Sequence, residues 1–128
     1  MTNQTTVPAG EGRDERGAVT AEAAIVIPLI AVFAVAMAWL VCVGLTAVRA
    51  QDAARETARA AARSDDSGSA LSLGRRVAPD GSRISVSAQD STVVVAVTSP
   101  VKGPGGLFGR VSGLQVHAEA VAAQEPEQ

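Results

Sequence analysis

The sequence predicts an α+β protein in which a long N-terminal transmembrane helix precedes a small three-stranded antiparallel sheet. Three observations favour this fold class. Residues 23–48 contain no Asp, Glu, Lys, Arg or His. Residues 49–63 continue with Ala, Arg and Glu, which are strong helix formers. After position 82, apolar residues alternate with polar ones, as they do in a strand that is buried on one face.

Composition limits what the chain can be. Its 128 residues favour a single domain, and its apolar content of 47% is mostly Ala and Val, with only 2% aromatic residues. The net charge is −2 and the basic residues are spread out, which gives no reason to expect a nucleic-acid partner. The single cysteine, Cys42, excludes an intramolecular disulfide.

The N-terminal segment, residues 1–17, is polar, contains Pro and Gly, and ends in a short charged cluster. This composition predicts a disordered leader. The uncharged run that follows would span roughly 39 Å as a helix, against about 30 Å for the hydrocarbon core of a bilayer. We therefore predict a membrane span over about residues 23–48, with a kink at Pro28, because proline removes one helical hydrogen bond.

The helix is predicted to continue to residue 63, so that helix 18–63 extends beyond the membrane. One of its faces carries arginines at every fourth position: Arg55, Arg59 and Arg63. We interpret these as a solvated basic face. A second face is smooth and weakly apolar: Ala50, Ala54, Ala58 and Ala61. This alanine face is suited to close packing against the sheet.

Residues 64–128 are predicted to form a small β-region with a flexible C-terminal tail. Turn residues at 64–69 end the long helix, and a short helical stretch at 71–77 precedes a turn at 79–82. Strands follow at about 83–88, 92–99 and 114–122, the second of them central. Three strands with so few aromatic residues are marginal alone, so the alanine face is the expected cover.

No catalytic, metal or cofactor site is expected. The glycine-rich segment 103–109 lacks the G-x-G-x-x-G spacing, since position 108 is Phe108, and is interpreted as a hairpin connection. His117 lies on the polar face of a strand without nearby ligand types, which predicts a surface histidine rather than a zinc ligand. Cys42 lacks a small residue before it, which argues against a lipoprotein site. We therefore expect a protein that is not an enzyme.

The start of the apolar run carries one acidic residue, Glu22, in the sequence RGAVTAE. A carboxylate drawn into a membrane costs about 2.5–3.5 kcal/mol, so its presence calls for a partner. If the chain were cut after Gly17, Ala18 would carry a free ammonium one helical turn from Glu22. The simpler alternative is a glutamate that interacts with the positive end of the helix dipole.

This segment resembles the processing site of type IV prepilins, in which prepilin peptidase cuts after Gly and Glu is the fifth mature residue. Within that superfamily, EAAIVIP, with Pro28 six residues after Glu22, is most similar to TadE-like pseudopilins of the tight-adherence (Flp) pilus system. The resemblance covers about residues 16–48. It departs from the family at Ala23, where an aromatic residue is common. The long region after Val48 favours a minor pilin over the major subunit.

The resemblance implies cleavage between Gly17 and Ala18, and a role for Glu22 and Ala18 in setting axial register during pilus assembly. It also implies three partners: prepilin peptidase, other pilins or pseudopilins, and the pilus assembly platform. The protein would span the cytoplasmic membrane once, with its C-terminal region extracytoplasmic, and could itself be incorporated into the pilus. Arginine counting alone favours the opposite orientation, because more arginines follow the span than precede it.

Two other hypotheses remain open from the residues. One is an unprocessed single-pass anchor whose small β-region binds a partner, which requires neither Gly17 nor Glu22. The other is a secreted domain released by signal peptidase at the small residues 34–38. The apolar run is far longer than the h-region of about 7–15 residues that a signal peptide needs, which disfavours cleavage there.

Overall fold

A computed structural model describes residues 1–2, 11–63, 66–103 and 113–124, with the side chains of residues 11–15 left aside. Within these ranges the chain is α+β, as predicted. Helices α1 (Glu11–Arg63) and α2 (Ser67–Val77) are followed by strands β1 (Arg83–Gln89), β2 (Thr92–Pro100) and β3 (Gln115–Ala123). The predicted C-terminal tail beyond residue 124 and most of the predicted glycine-rich connection lie outside the described residues.

Helix α1 ends at Arg63, where the sequence predicts its end, but it begins earlier than predicted. Residues 11–17 are helical, which corrects the expectation that the whole leader is disordered. The physical reason is that this segment is rich in Glu and Arg, which favour helices, and that acidic residues suit the first turn of a helix. Pro28 lies inside an uninterrupted helix, so the kink stays a prediction.

The chain divides into two compact units within α1, Met1–Met37 and Ala38–Gln128. In the first unit every described side chain from Arg16 onward is exposed. The helix is therefore not held there by contacts with any other described part of that unit. Its stability in this unit comes from backbone hydrogen bonds and residue propensity, to which a surrounding apolar phase would add.

Helix α2 begins earlier than the predicted stretch 71–77, because Asp66 caps it. The Asp66 carboxylate accepts a hydrogen bond from the Gly68 N–H at 3.0 Å, and its other oxygen accepts one from the Ser69 hydroxyl. Ser67 to Ser69 are therefore helical, which corrects the predicted turn over residues 64–69; residues 64 and 65 lie outside the description. An aspartate at this position satisfies one of the free N–H groups at a helix start.

The sheet is an antiparallel meander with the order β1–β2–β3, so that β2 is central as predicted. Val93, Val95 and Val97 of β2 are buried, and their neighbours in sequence point to the opposite face. In β3 the inward side chains are Val116, Ala118, Ala120 and Ala122. The alternation predicted from sequence is confirmed for β3, and β2 alternates as well, as a strand with one buried face does.

Two tight turns flank strand β1, one before it and one after it. In the first, the Ser82 N–H donates to the Pro79 carbonyl at 3.2 Å, and Gly81 at the third position has φ +80°, which glycine adopts without strain. In the second, Asp90 has φ 52° and begins the two-residue connection between the paired residues Gln89 and Thr92. Aspartate is among the few residues that tolerate this conformation.

The core lies between the sheet and the C-terminal part of α1. The predicted alanine face is buried as expected, and its neighbours extend it. The buried members of this face are Ala50, Ala53, Ala54, Thr57, Ala58, Ala60 and Ala61. The alanines share one cluster with Val93, Val95, Val97 and Ala118, and Ala70 of α2 completes it. Burying each valine contributes about 1.5–3 kcal/mol.

Candidate functional site

The residues singled out by sequence lie near the start of α1. Gly17, Ala18 and Glu22 are all helical and all exposed. Ala18 and Glu22 are separated by one helical turn, so the two positions lie on the same side of the helix. Ala18 and Glu22 are the two positions that the prepilin resemblance pairs, and no other described side chain covers either of them.

Local contacts around Gly17 are sparse. The Thr20 hydroxyl donates to the Arg16 carbonyl at 2.8 Å, a bond within one turn of helix. A Cβ placed on Gly17 would meet no atom within 4 Å. No close packing within the described part of the chain therefore requires glycine at this position. A requirement for glycine there would have to come from a partner such as a protease.

Beyond Glu22, the surface of α1 is formed by large apolar side chains that are exposed. The most exposed are Ile25 at 73%, Val41 at 70%, Val32 at 68% and Leu29 at 67%. Because each such side chain gains about 1.5–3 kcal/mol on leaving water, this surface is unfavourable in an aqueous environment. The helix is long and apolar enough to cross a membrane, and it is the one such helix in the described part of the chain.

Small residues interrupt this apolar surface. Ala31, Ala34 and Ala38 recur at spacings of three and four, so they share one side of the helix, and all three are exposed. Gly44 lies six residues further on, which places it about a third of a turn away from that side. A Cβ on Gly44 would meet nothing within 4 Å. These positions leave room for another helix to approach closely.

Among the described residues, the second unit has grooves lined by basic side chains. One, of about 440 Å³, lies between α1 and the end of β3, and the predicted basic face lines it: Arg55, Arg59 and Arg63. The second, of about 490 Å³, is lined by Arg49, Arg76, Lys102 and Asp80 together with apolar residues. The sequence did not predict the second cluster, because its three cations come from distant positions that only the folding of α2 and β2 brings together.

The other residues considered from sequence have ordinary surroundings. His117 is exposed on β3, and its Nδ1 lies 3.1 Å from the Thr98 hydroxyl on the neighbouring strand. Cys42 is a free, half-buried thiol on α1. Among the described residues, no group of three or more His, Cys, Asp or Glu could hold a metal ion.

Comparison with protein-family models, curated proteins and solved structures finds no match for this chain. The chemistry of the site is therefore argued from its own residues. The arrangement consists of one exposed carboxylate at the start of an exposed apolar helix, an unpacked glycine five residues before it, and a small sheet packed on the far end of the same helix. Such an arrangement can place the helix in an apolar phase and allow it to pack against another helix.

Proposed function

We propose that the chain is a minor pilin or pseudopilin of the TadE-like type, which takes part in assembling a type IV pilus of the tight-adherence system. Prepilin peptidase removes residues 1–17, and the mature chain begins at Ala18. The helix anchors the protein in the cytoplasmic membrane as a single span. The small sheet region lies outside, where it contacts other pilins or the assembly platform.

The observation that carries this proposal is Glu22, an exposed carboxylate that opens an otherwise uncharged helical surface. After cleavage, the Ala18 ammonium lies one helical turn away and offsets the cost of placing the carboxylate at the membrane. The same ammonium on a neighbouring chain would pair with Glu22 only at one axial offset. Glu22 would therefore set the register in which helices enter the filament.

The runner-up function is an unprocessed single-pass anchor with a small binding region. It is favoured by the position of Gly17 inside α1, because proteases cut most readily in segments without regular structure. Against this, Gly17 is the seventh residue of α1, within two turns of its start at Glu11, and the ends of helices open more readily than their interiors. Glycine also weakens a helix by about 1 kcal/mol relative to alanine, which makes local opening inexpensive.

The first test is the intact mass and N-terminal sequence of the protein extracted from native membranes. We expect a chain that begins at Ala18. A chain that begins at Met1 would support the uncleaved anchor, and a chain that begins near residue 38 and is recovered in the soluble fraction would support release by signal peptidase. The variant Gly17→Ala should remain uncleaved yet fold normally, because the added methyl group meets no neighbour.

The second test concerns Glu22 directly. Glu22→Ala should insert in the membrane but fail to enter pili, because the register contact is lost. Asp52→Ala is the matched control, since it removes an exposed carboxylate from the same helix beyond the apolar run. Piliation is counted by electron microscopy. Normal piliation in Glu22→Ala, or equal loss in Asp52→Ala, would argue against a register role for Glu22.

A further inference from the structure

Three cationic side chains from separate elements line one groove of the second unit. Arg49 belongs to α1, Arg76 to the last turn of α2, and Lys102 to the segment after β2. The described lining of this groove includes one carboxylate, Asp80. The groove, of about 490 Å³, is therefore cationic on balance and can receive an anionic group.

The position of this cationic groove along α1 is specific. Arg49 directly follows Val48, the last residue of the uncharged run, and Thr46 of that run also lines the groove. Val48, one residue before Arg49, is 58% exposed, and Val77 of the groove lining is 39% exposed. Positive charge thus begins where the apolar surface ends, and Val77 of α2 places an apolar side chain in the groove itself.

Phospholipid phosphates occupy the corresponding level of a bilayer, directly beyond the hydrocarbon. Arginine and lysine side chains bind phosphate oxygens through charge-assisted hydrogen bonds, and arginine can do so with two parallel bonds. Adjacent aliphatic side chains would contact the first carbons of the acyl chains. A soluble anion would gain nothing from these apolar neighbours, whereas a lipid would.

We propose that Arg49, Arg76 and Lys102 form a binding site for the phosphate of an anionic phospholipid headgroup. The inference rests on the membrane anchoring of α1 in the proposed function, and it does not depend on cleavage or pilus assembly. Binding would tie α2 and the segment after β2 to the membrane surface. The sheet region would then be held at a fixed height above the bilayer.

The test uses the full chain reconstituted in nanodiscs of phosphatidylcholine with or without phosphatidylglycerol. Lipids that remain bound on transfer to detergent are identified by native mass spectrometry. The native chain should retain phosphatidylglycerol selectively. The variant Arg49→Gln/Arg76→Gln/Lys102→Gln should lose that selectivity by roughly tenfold or more, since each basic residue near an anionic surface contributes about a fivefold factor.

A charge-matched control exists in the same chain. The variant Arg55→Gln/Arg59→Gln/Arg63→Gln also removes three positive charges, but from the other groove, whose arginines lie about 9–21 Å further along the helix axis than Arg49. It should retain phosphatidylglycerol as the native chain does. Equal loss in both variants would indicate general charge attraction and overturn the proposed site. If circular dichroism shows that the first triple variant is unfolded, the retention of phosphatidylglycerol is compared between the native chain and Arg76→Gln alone.

A further measurement distinguishes a lipid headgroup from a soluble phosphate. Glycerol phosphate is added to the chain in phosphatidylcholine nanodiscs, and amide shifts at Arg76 and Lys102 are followed by NMR. The lipid assignment expects shifts with phosphatidylglycerol and none with glycerol phosphate; similar shifts with both would overturn it. Release of the chain from native membranes by alkaline carbonate would contradict the anchoring itself, and with it the proposed function.

Discussion

The two halves of α1 differ in the size of their apolar residues and in what surrounds them. From Ala23 to Val48 the helix carries Ile, Leu, Val and Phe, and the largest of these are exposed. From Ala50 to Ala61 it carries mainly alanine, and the alanines at the helix–sheet contact are buried. In a protein folded only in water, the larger side chains would be the buried ones.

This difference indicates that the two halves of the helix suit different surroundings. The alanine half is buried against the chain's own sheet, where its alanines share one cluster with Val93, Val95 and Val97. The half with large side chains has no such cover over residues 23–37, all of which are exposed, and lipid or neighbouring helices are the environments that suit it. Substitutions of equal size in the two halves should therefore differ in their effect on the stability of the sheet.

The largest expected effect comes from adding bulk to the buried half. Ala54 is fully buried in the cluster that contains Val95 and Val97. Ala54→Leu should destabilise the sheet unit by about 2–3 kcal/mol, because extra carbons in a packed core force side chains and backbone to move. Hydrogen exchange of the β2 amides, measured on the full chain in micelles, reports the loss.

The matched variant is Ala31→Leu, on the exposed half of the same helix. It should leave the exchange of the β2 amides unchanged, because Ala31 is exposed and lies outside the sheet unit. If helices pack against this side in an assembly, the same variant should reduce incorporation into pili. Equal destabilisation by Ala31→Leu and Ala54→Leu would contradict the contrast between the two halves.

A smaller effect is expected from glycine substitutions. A Cβ on Gly74 of α2 would clash with the Thr57 hydroxyl oxygen and lie 3.1 Å from Ile84 Cδ1. Thr57 cannot move freely, because it is fully buried and its hydroxyl donates to the Ala53 carbonyl at 2.7 Å. Gly74→Ala should therefore cost about 1 kcal/mol net, after the gain in helix propensity is subtracted.

Two variants sharpen this prediction. The double variant Gly74→Ala/Thr57→Ala should recover part of the lost stability, because it removes the clashing oxygen together with the methyl group that accompanies it. Gly44→Ala should not change the stability of the sheet, since a Cβ there meets nothing within 4 Å. Thermal unfolding followed by circular dichroism separates the three. A neutral Gly74→Ala would show that Thr57 adapts at no cost.

Much of the fold could be predicted because its signals are local. Alternation in residues 84–88 and 114–122 reflects the two-residue period of strands, and the alanines on α1 reflect helical spacing. The early start of α2 was missed because Ser and Gly read as turn residues, whereas the Asp66 cap makes them helical. The sequence does not predict that Thr57 is buried, because threonine is polar. Its burial is possible because its hydroxyl donates to the Ala53 carbonyl within the same helix.

The candidate site divides in the same way. Gly17, Ala18, Glu22 and Pro28 form a local pattern, which a reader of the sequence can find without any structure. The groove lined by Arg49, Arg76 and Lys102 depends on three elements meeting, and no spacing in the sequence indicates it. A pattern that lies on one helix can therefore be found from the sequence, whereas a groove that needs the tertiary fold cannot.

The smallest expected effect concerns Asp66, which caps α2 and so helps to complete the cover of the buried half. Hydrogen bonds from the Ser69 hydroxyl and then from the Gly68 N–H hold the pKa of the Asp66 carboxyl below its ordinary value. A lowered pKa means that the carboxylate stabilises the folded state above the unfolded pKa of about 3.9, and that this contribution is lost as pH falls through the folded value. Acidification below about pH 4 should therefore loosen the first turn of α2, seen as Cα chemical shifts moving away from helical values.

Asp66→Asn is the control, because asparagine caps a helix equally well but does not titrate. The same acid response in Asp66→Asn would show that another group loosens α2, and that the cap does not contribute to the pH dependence of the buried half.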